Sequence, residues 1–225
     1  MKAKSEIDTL LDELKTYESG NLIPNTELVI KLRALGKSAR TAKQGHTAAV
    51  LALEWFLSQR VSNPQVYLAA VEGLGELGTP KAIELLKKIV LTDLEEPSQD
   101  HHAAYLAVKG IASRIERTGY NKGLLDVLSH AAGHQNMSVR ALAAEHLGTH
   151  GNQARLPVLA RLAIHDPEQP TRNSASFAMA TLLERHNLGI KDAKTYLTTA
   201  VGLHPSLTIK DRQTNAMKRV RSRLE

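Results

Sequence analysis

One stretch of this sequence is written twice. Val66, Leu74, Gly75, Gly78, Ile83, Leu86 and Ile89 return as Val139, Leu147, Gly148, Gly151, Leu156, Leu159 and Leu162, every member displaced by the same 73 positions, and Glu72 returns as Glu145. A period of that length is about twice a helical-hairpin repeat of roughly 36 residues, so a further unit belongs between the two copies. Ile111 marks it, 37 residues after Leu74 and 36 before Leu147. A chain written this way folds by stacking. Each hairpin buries its apolar face on its neighbours rather than around one large centre.

The supply of side chains agrees with stacking. Only two Phe and one Trp are present in 225 residues, so Leu and Ala must fill the interior. The absence of cysteine excludes disulfides, zinc–thiolate sites and thiol nucleophiles together. The opening Met1-Lys2-Ala3-Lys4-Ser5-Glu6 holds no apolar stretch of signal-peptide length, and eighteen apolar residues never run together. A cytoplasmic protein that crosses no membrane is expected.

Ile7, Leu10, Leu11, Leu14 and Tyr17 share one face of a short helix introduced by Ser5-x-x-Asp8, a capping-box pattern, and residues 1–20 are expected to cap the array. Beyond Gly20 and Pro24, Leu28, Leu32, Leu35 and Ala39 form the stripe of a second helix. Ala48 to Leu57 is apolar almost all round, which predicts a helix buried on most sides with Trp55 inside. Pro64, Pro97, Pro167 and Pro205 stand near the starts of first helices, and Pro80 and Pro157 open second helices. Asn63 and Asp166 precede two of these prolines as candidate N-caps. The predicted pairs are 64–78 with 80–91, 99–118 with 122–132, 137–150 with 154–165, and 168–187 with 190–202, closed by a lone helix at 206–224. No stretch alternates as a strand does and no low-complexity linker divides the chain, so 1–225 reads as one domain with its repeats at 25–202.

Pro64-Gln65-Val66, Ala69-Ala70, Leu74-Gly75-Glu76-Leu77-Gly78 and Lys81-Ala82-Ile83-x-x-Leu86 resemble HEAT repeats of the short bacterial variety. The likeness runs over about residues 25 to 224, and it implies an all-α, right-handed α-solenoid of about five HEAT-like hairpins between terminal capping helices. In such repeats Gly75 and Gly148 relieve crowding near the helix end, and Gly78 and Gly151 are expected in the left-handed turn conformation. Tetratricopeptide repeats lack a match here at their Trp and Tyr positions. Phycobilin lyases resemble the repeat pattern, but no residue singles out a pigment site. Deoxyhypusine hydroxylase, a HEAT-like enzyme, holds two irons through His-Glu pairs, whereas this chain has only the reversed Glu145-His146. The DNA-alkylation-repeat glycosylases line a groove with several tryptophans, and Trp55 stands alone.

Two histidine pairs, His130-x-x-x-His134 and His146-x-x-x-His150, have the spacing that puts two imidazoles on one helical face. Gly133 interrupts the first pair, His150 falls in the predicted turn after the second, and no carboxylate is spaced in sequence to complete either. Neither a metal nor another cofactor is expected. A nucleophilic triad lacks its strand-borne Gly-x-Ser-x-Gly elbow, so an enzyme is not expected either.

Charge is the other signal. With 29 basic and 23 acidic residues the net charge is +6, and the excess lies at the ends. Lys31, Arg33, Lys37, Arg40 and Lys43 run without an acid; Lys210, Arg212, Lys218, Arg219, Arg221 and Arg223 face only Asp211 and Glu225; Asp93, Glu95, Glu96 and Asp100 make an acidic middle loop. The repeat register adds a third set, Lys88, Arg161 and, between them, His130, on second helices that commonly line the inner face of a superhelix. The candidate contact residues are thus Arg33, Lys37 and Arg40, the ladder Lys88, His130 and Arg161, and Lys218, Arg219, Arg221 and Arg223. The function expected is a non-enzymatic scaffold or adaptor presenting a curved surface to a protein partner. The alternative is a nucleic-acid-binding HEAT protein, with or without the base-excision activity of the DNA-alkylation-repeat glycosylases, that contacts phosphates through these patches. Neither a small-molecule substrate nor a membrane partner is expected.

Overall fold

A computed structural model of the protein describes residues 5–18, 25–42, 45–58, 63–95, 101–202 and 206–225. Among them are twelve α-helices, one short 3₁₀ turn and no strand. They run α1 (Glu6–Glu18), α2 (Asn25–Thr41), α3 (His46–Leu57), α4 (Pro64–Leu77), α5 (Pro80–Glu95), α6 (His102–Thr118), α7 (Lys122–Ala131), α8 (Met137–His150), α9 (Leu156–His165), α10 (Gln169–Arg185), α11 (Ile190–Val201) and α12 (Leu207–Leu224). This is an all-α repeat fold of the α-solenoid class: a leading helix, five hairpins and a closing helix. The expectations resting on Gly20, Pro24, Lys43, Glu96, Pro97, Asp100 and Pro205 lie outside the described residues.

Two compact units divide the chain, one ending at Thr92 but including His102–Arg114, the other made of Asp93–His101 and everything from Ile115. In the first unit α2 lies along α4, α3 packs on α4, and α1 covers α2 and α3. Its capping box forms as the sequence predicts: the Ser5 hydroxyl accepts the Asp8 N–H at 3.2 Å, while the Asp8 carboxylate faces the Ser5 N–H at 3.4 Å. Leu28, Leu32, Leu35 and Ala39 are fully buried, as are Leu53, Phe56, Val66 and Leu74. At Asn63 the side chain caps α4 by accepting the Val66 N–H. First helices approach closely because no side chain separates them. A Cβ on Gly73 would sit 2.8 Å from the Leu32 carbonyl oxygen, and one on Gly75 would sit 3.1 Å from the Gly110 Cα.

In the second unit α8 lies along α10 and α10 along α12, while α9 packs on α10 and α11. Gly148 repeats the device of Gly75, since a Cβ there would sit 2.6 Å from the Ala178 Cα. The two turn glycines differ, however. Gly78 takes the left-handed conformation at φ 59°, but Gly151 stays extended at φ −68°, ψ 175°, because the chain leaves α8 into the 3₁₀ turn at Gln153–Arg155 instead of entering the next helix directly.

Candidate functional site

Asp93 was expected in an acidic loop and Asp166 at a helix N-cap; the structure buries both as partners of other side chains. Helix α5 runs on to Glu95, four residues past its predicted end, which carries Asp93 inward. There its Oδ2 accepts from His134 Nε2 at 2.8 Å and from His101 Nδ1 at 3.2 Å. The tautomer of His134 follows from its other nitrogen: Nδ1 accepts the Asn136 N–H at 3.0 Å, so the ring proton sits on Nε2. Burial pushes the His134 pKa down, against the pull of Asp93 and with the push of His101 and Arg140. Helix α10 begins only at Gln169, and Asp166 instead takes a two-pronged bond from Arg140, Nε to Oδ2 at 2.6 Å and Nη2 to Oδ1 at 2.9 Å. Arg140 Nη1 also donates to the His134 and Gln135 carbonyls, six and five residues upstream. Arg172 repeats this last arrangement on the Asp166 and Pro167 carbonyls. The bonds of Asp93, His134, Arg140, Asp166 and Arg172 thus tie turns to helices within the second unit.

The predicted basic residues fall into different surroundings. On α2, Arg33 pairs with Glu72 and Arg40 with Glu76, both acids from α4; Lys31 pairs with Glu13 and Glu27, which raise its pKa. Lys37, the third of the predicted trio, is exposed, and with Arg33 it lines a cleft of about 370 Å³ that ends at Lys109 and Ser113. Lys88, His130 and Arg161 are all exposed on second helices. His130 donates its Nδ1–H to the Asp126 carbonyl, and Arg161 borders a cleft shared with His165 and Tyr196. At 3.6 residues per turn the basic residues of α12 split between two faces. Lys218 and Arg221 border a cleft with Lys194 and Met217, Arg223 reaches Glu184, and Arg219 and Arg212 stand near Arg172. Arg172 is lowered in pKa by burial first and by these two like charges next.

Two surroundings were not read from the sequence. Trp55 is 37% exposed, not enclosed; Phe56 beside it is the buried ring, the two set edge to face with their centroids 4.7 Å apart. Helix α3 buries Ala49, Val50, Leu53 and Phe56 and turns Ala48, Leu51 and Trp55 outward as a stripe, Leu51 being 59% exposed. The Glu54–Lys81 ion pair at 3.6 Å borders it. The second surrounding concerns the histidine pair. His150 is the last residue of α8 and not part of a turn, its ring stacks on His146 with centroids 5.8 Å apart, and a carboxylate from another helix, Glu116 of α6, comes within 3.6 Å of its Nε2. Nothing in the spacing of α8 alone announces a residue 30 positions upstream. Burial lowers the pKa of His146.

The profile of HEAT repeats matches residues 94–180, and that of the PBS lyase HEAT-like repeat matches residues 66–92. The chain belongs to the HEAT-repeat family. No curated protein sequence matches this HEAT-repeat protein. Among solved structures it is similar to an engineered protein, at 15% identity over 98% of each chain with a TM-score of 0.46. It is also similar to human deoxyhypusine hydroxylase in complex with glycerol, at 13% identity over 96% of this chain and 88% of that one, with a TM-score of 0.35. No helix among the described residues is long and apolar enough to cross a membrane.

Proposed function

We propose that this repeat scaffold is a non-enzymatic adaptor, working in the cytoplasm, that binds another protein through the outward face of α3. The observation that carries the reading is the stripe Ala48, Leu51 and Trp55, apolar and exposed on a helix whose opposite side is core. Water-facing apolar side chains grouped on one helix are costly to leave uncovered, and an aromatic among them is the usual anchor of a protein interface. The mixed-charge border at Glu54 and Lys81 suits a protein more than a phosphate backbone. On α2 the same preference holds, since Glu72 and Glu76 already neutralise Arg33 and Arg40.

Affinity capture from native lysate, with and without nuclease, tests this directly. A protein partner retained after nuclease and lost with Leu51→Asp supports the reading; retention by both forms of the protein removes it. Since Leu51 lies outside the core, the variant folds. The phosphate-binding alternative draws on a different observation, the grouping of Arg172, Arg212 and Arg219. Loss of the captured material on nuclease treatment would favour it.

A further inference from the structure

We infer that Glu116, His146 and His150 form a three-ligand site for a divalent transition-metal ion of the zinc class. The donors come from the ends of two helices. His146 and His150 are one helical turn apart on α8 with rings nearly parallel, 12° between planes, and the carboxylate of Glu116 approaches from α6. One donor atom from each of the three lies within 4.8 Å of the others. An ion bound at about 2.0–2.2 Å from each needs them roughly 3.5 Å apart. The His150 Nε2–Glu116 Oε1 separation of 3.6 Å already meets that spacing.

Two further observations set this cluster apart from a surface Glu–His pair. His150 Nε2 is buried, yet no hydrogen bond from the described residues reaches it, so a ring nitrogen is left with its capacity unused. The repeat register also shows what the position holds elsewhere: one period earlier, His146 and His150 correspond to Gly73 and Leu77, both buried. Two imidazoles thus stand where the earlier copy has bare backbone and leucine. The second polar cluster of this kind, Asp93 with His101 and His134, differs in chemistry, because both nitrogens of His134 are already committed.

Two imidazoles and one carboxylate favour Zn²⁺ and its neighbours over Mg²⁺ or Ca²⁺, which take oxygen donors. Three protein ligands leave a fourth position for water, and the exposed Glu116 gives an ion a way in. With its donors on α6 and α8, a bound ion ties consecutive first helices together.

The test is titration of tag-free protein with Zn²⁺ against a chromophoric chelator, alongside the visible absorption of the Co²⁺ form. One ion per chain is expected. Glu116→Gln, a change at an exposed side chain, weakens binding by at least about tenfold and changes the Co²⁺ spectrum, His150→Ala removes binding, and His130→Ala leaves it unaltered. No uptake of Zn²⁺ at micromolar concentrations overturns the inference, as does a Glu116→Gln protein that binds as tightly as the parent. If His150→Ala fails to fold by circular dichroism, Glu116→Gln and its Co²⁺ spectrum still decide.

Discussion

Asp93 and Asp166 occupy the same position of the 73-residue period, and both are buried carboxylates at the end of a second helix, yet they are bound from opposite directions. Asp93 is met by His134, 41 residues onward; Asp166 is met by Arg140, 26 residues back. The two ties meet, because Arg140 Nη1 donates to the carbonyl of His134. One continuous polar path therefore joins the ends of α5, α7 and α9.

Breaking that path at its ion pair is expected to be severe. Arg140→Ala leaves the Asp166 carboxylate buried with its charge uncompensated, at a cost of ~3–5 kcal/mol. Arg223→Ala, which breaks an exposed pair, costs under ~1 kcal/mol. Urea unfolding monitored by circular dichroism reads both, and similar midpoints for the two variants would refute the assignment.

Acid is expected to weaken the fold through His134. Its folded pKa lies below the ordinary value of 6.5, so the unfolded chain binds the proton more readily. Stability is full above about pH 6.5, falls as pH drops through that value and levels off below the folded pKa. Burial is the main cause of the shift, Asp93 opposes it, and His101 and Arg140 add to it. His146 is shifted the same way, so His134→Gln should reduce the slope without abolishing it. A thermal midpoint in the parent that does not change between pH 7 and pH 5 would count against this, those pH values spanning the ordinary histidine range of about 6.5.

Repeat register makes its own prediction. Leu147 is completely buried on α8, and Leu147→Ala should cost ~2–5 kcal/mol. Lys88→Ala, at an exposed position of α5, should change little. Equal effects on unfolding would mean that the two residues are not the core and surface members of the repeat.

For nucleic acid, weak duplex-DNA binding at low salt is expected at most. If Arg212 and Arg219 contact phosphates, replacing both by Gln lowers the slope of log affinity against log salt by about two. Filter binding or fluorescence anisotropy across a salt series measures it. Tight binding that resists salt would place nucleic acid ahead of protein as the partner.

Much of the fold can be read from the sequence, and the reason is local. The helix predicted over 137–150 forms with those bounds because Val139 and Leu147 repeat the register of Val66 and Leu74, and Asn136 caps it by accepting the Ser138 and Val139 N–H groups. The closing helix and the Asn63 cap are likewise properties of neighbouring residues. What escapes is set by residues far apart. Gly151 looks like Gly78 until the following 3₁₀ turn is known, and Trp55 looks buried because the whole of α3 is apolar. The Glu116 carboxylate reaches the histidine pair only through packing of one repeat on the next. Each predicted basic residue is where its helix puts it, but Glu72 and Glu76, which decide whether Arg33 and Arg40 carry free charge, sit on another helix.

The bare contact between Gly75 and Gly110 has a mechanical consequence. Their spacing is set by backbone alone: a Cβ on Gly110 would sit 2.7 Å from the Gly75 Cα, so a side chain at either place acts as a wedge between α4 and α6. Prising the pair apart forfeits close contacts that no side chain can swing in to restore, because neither glycine has one.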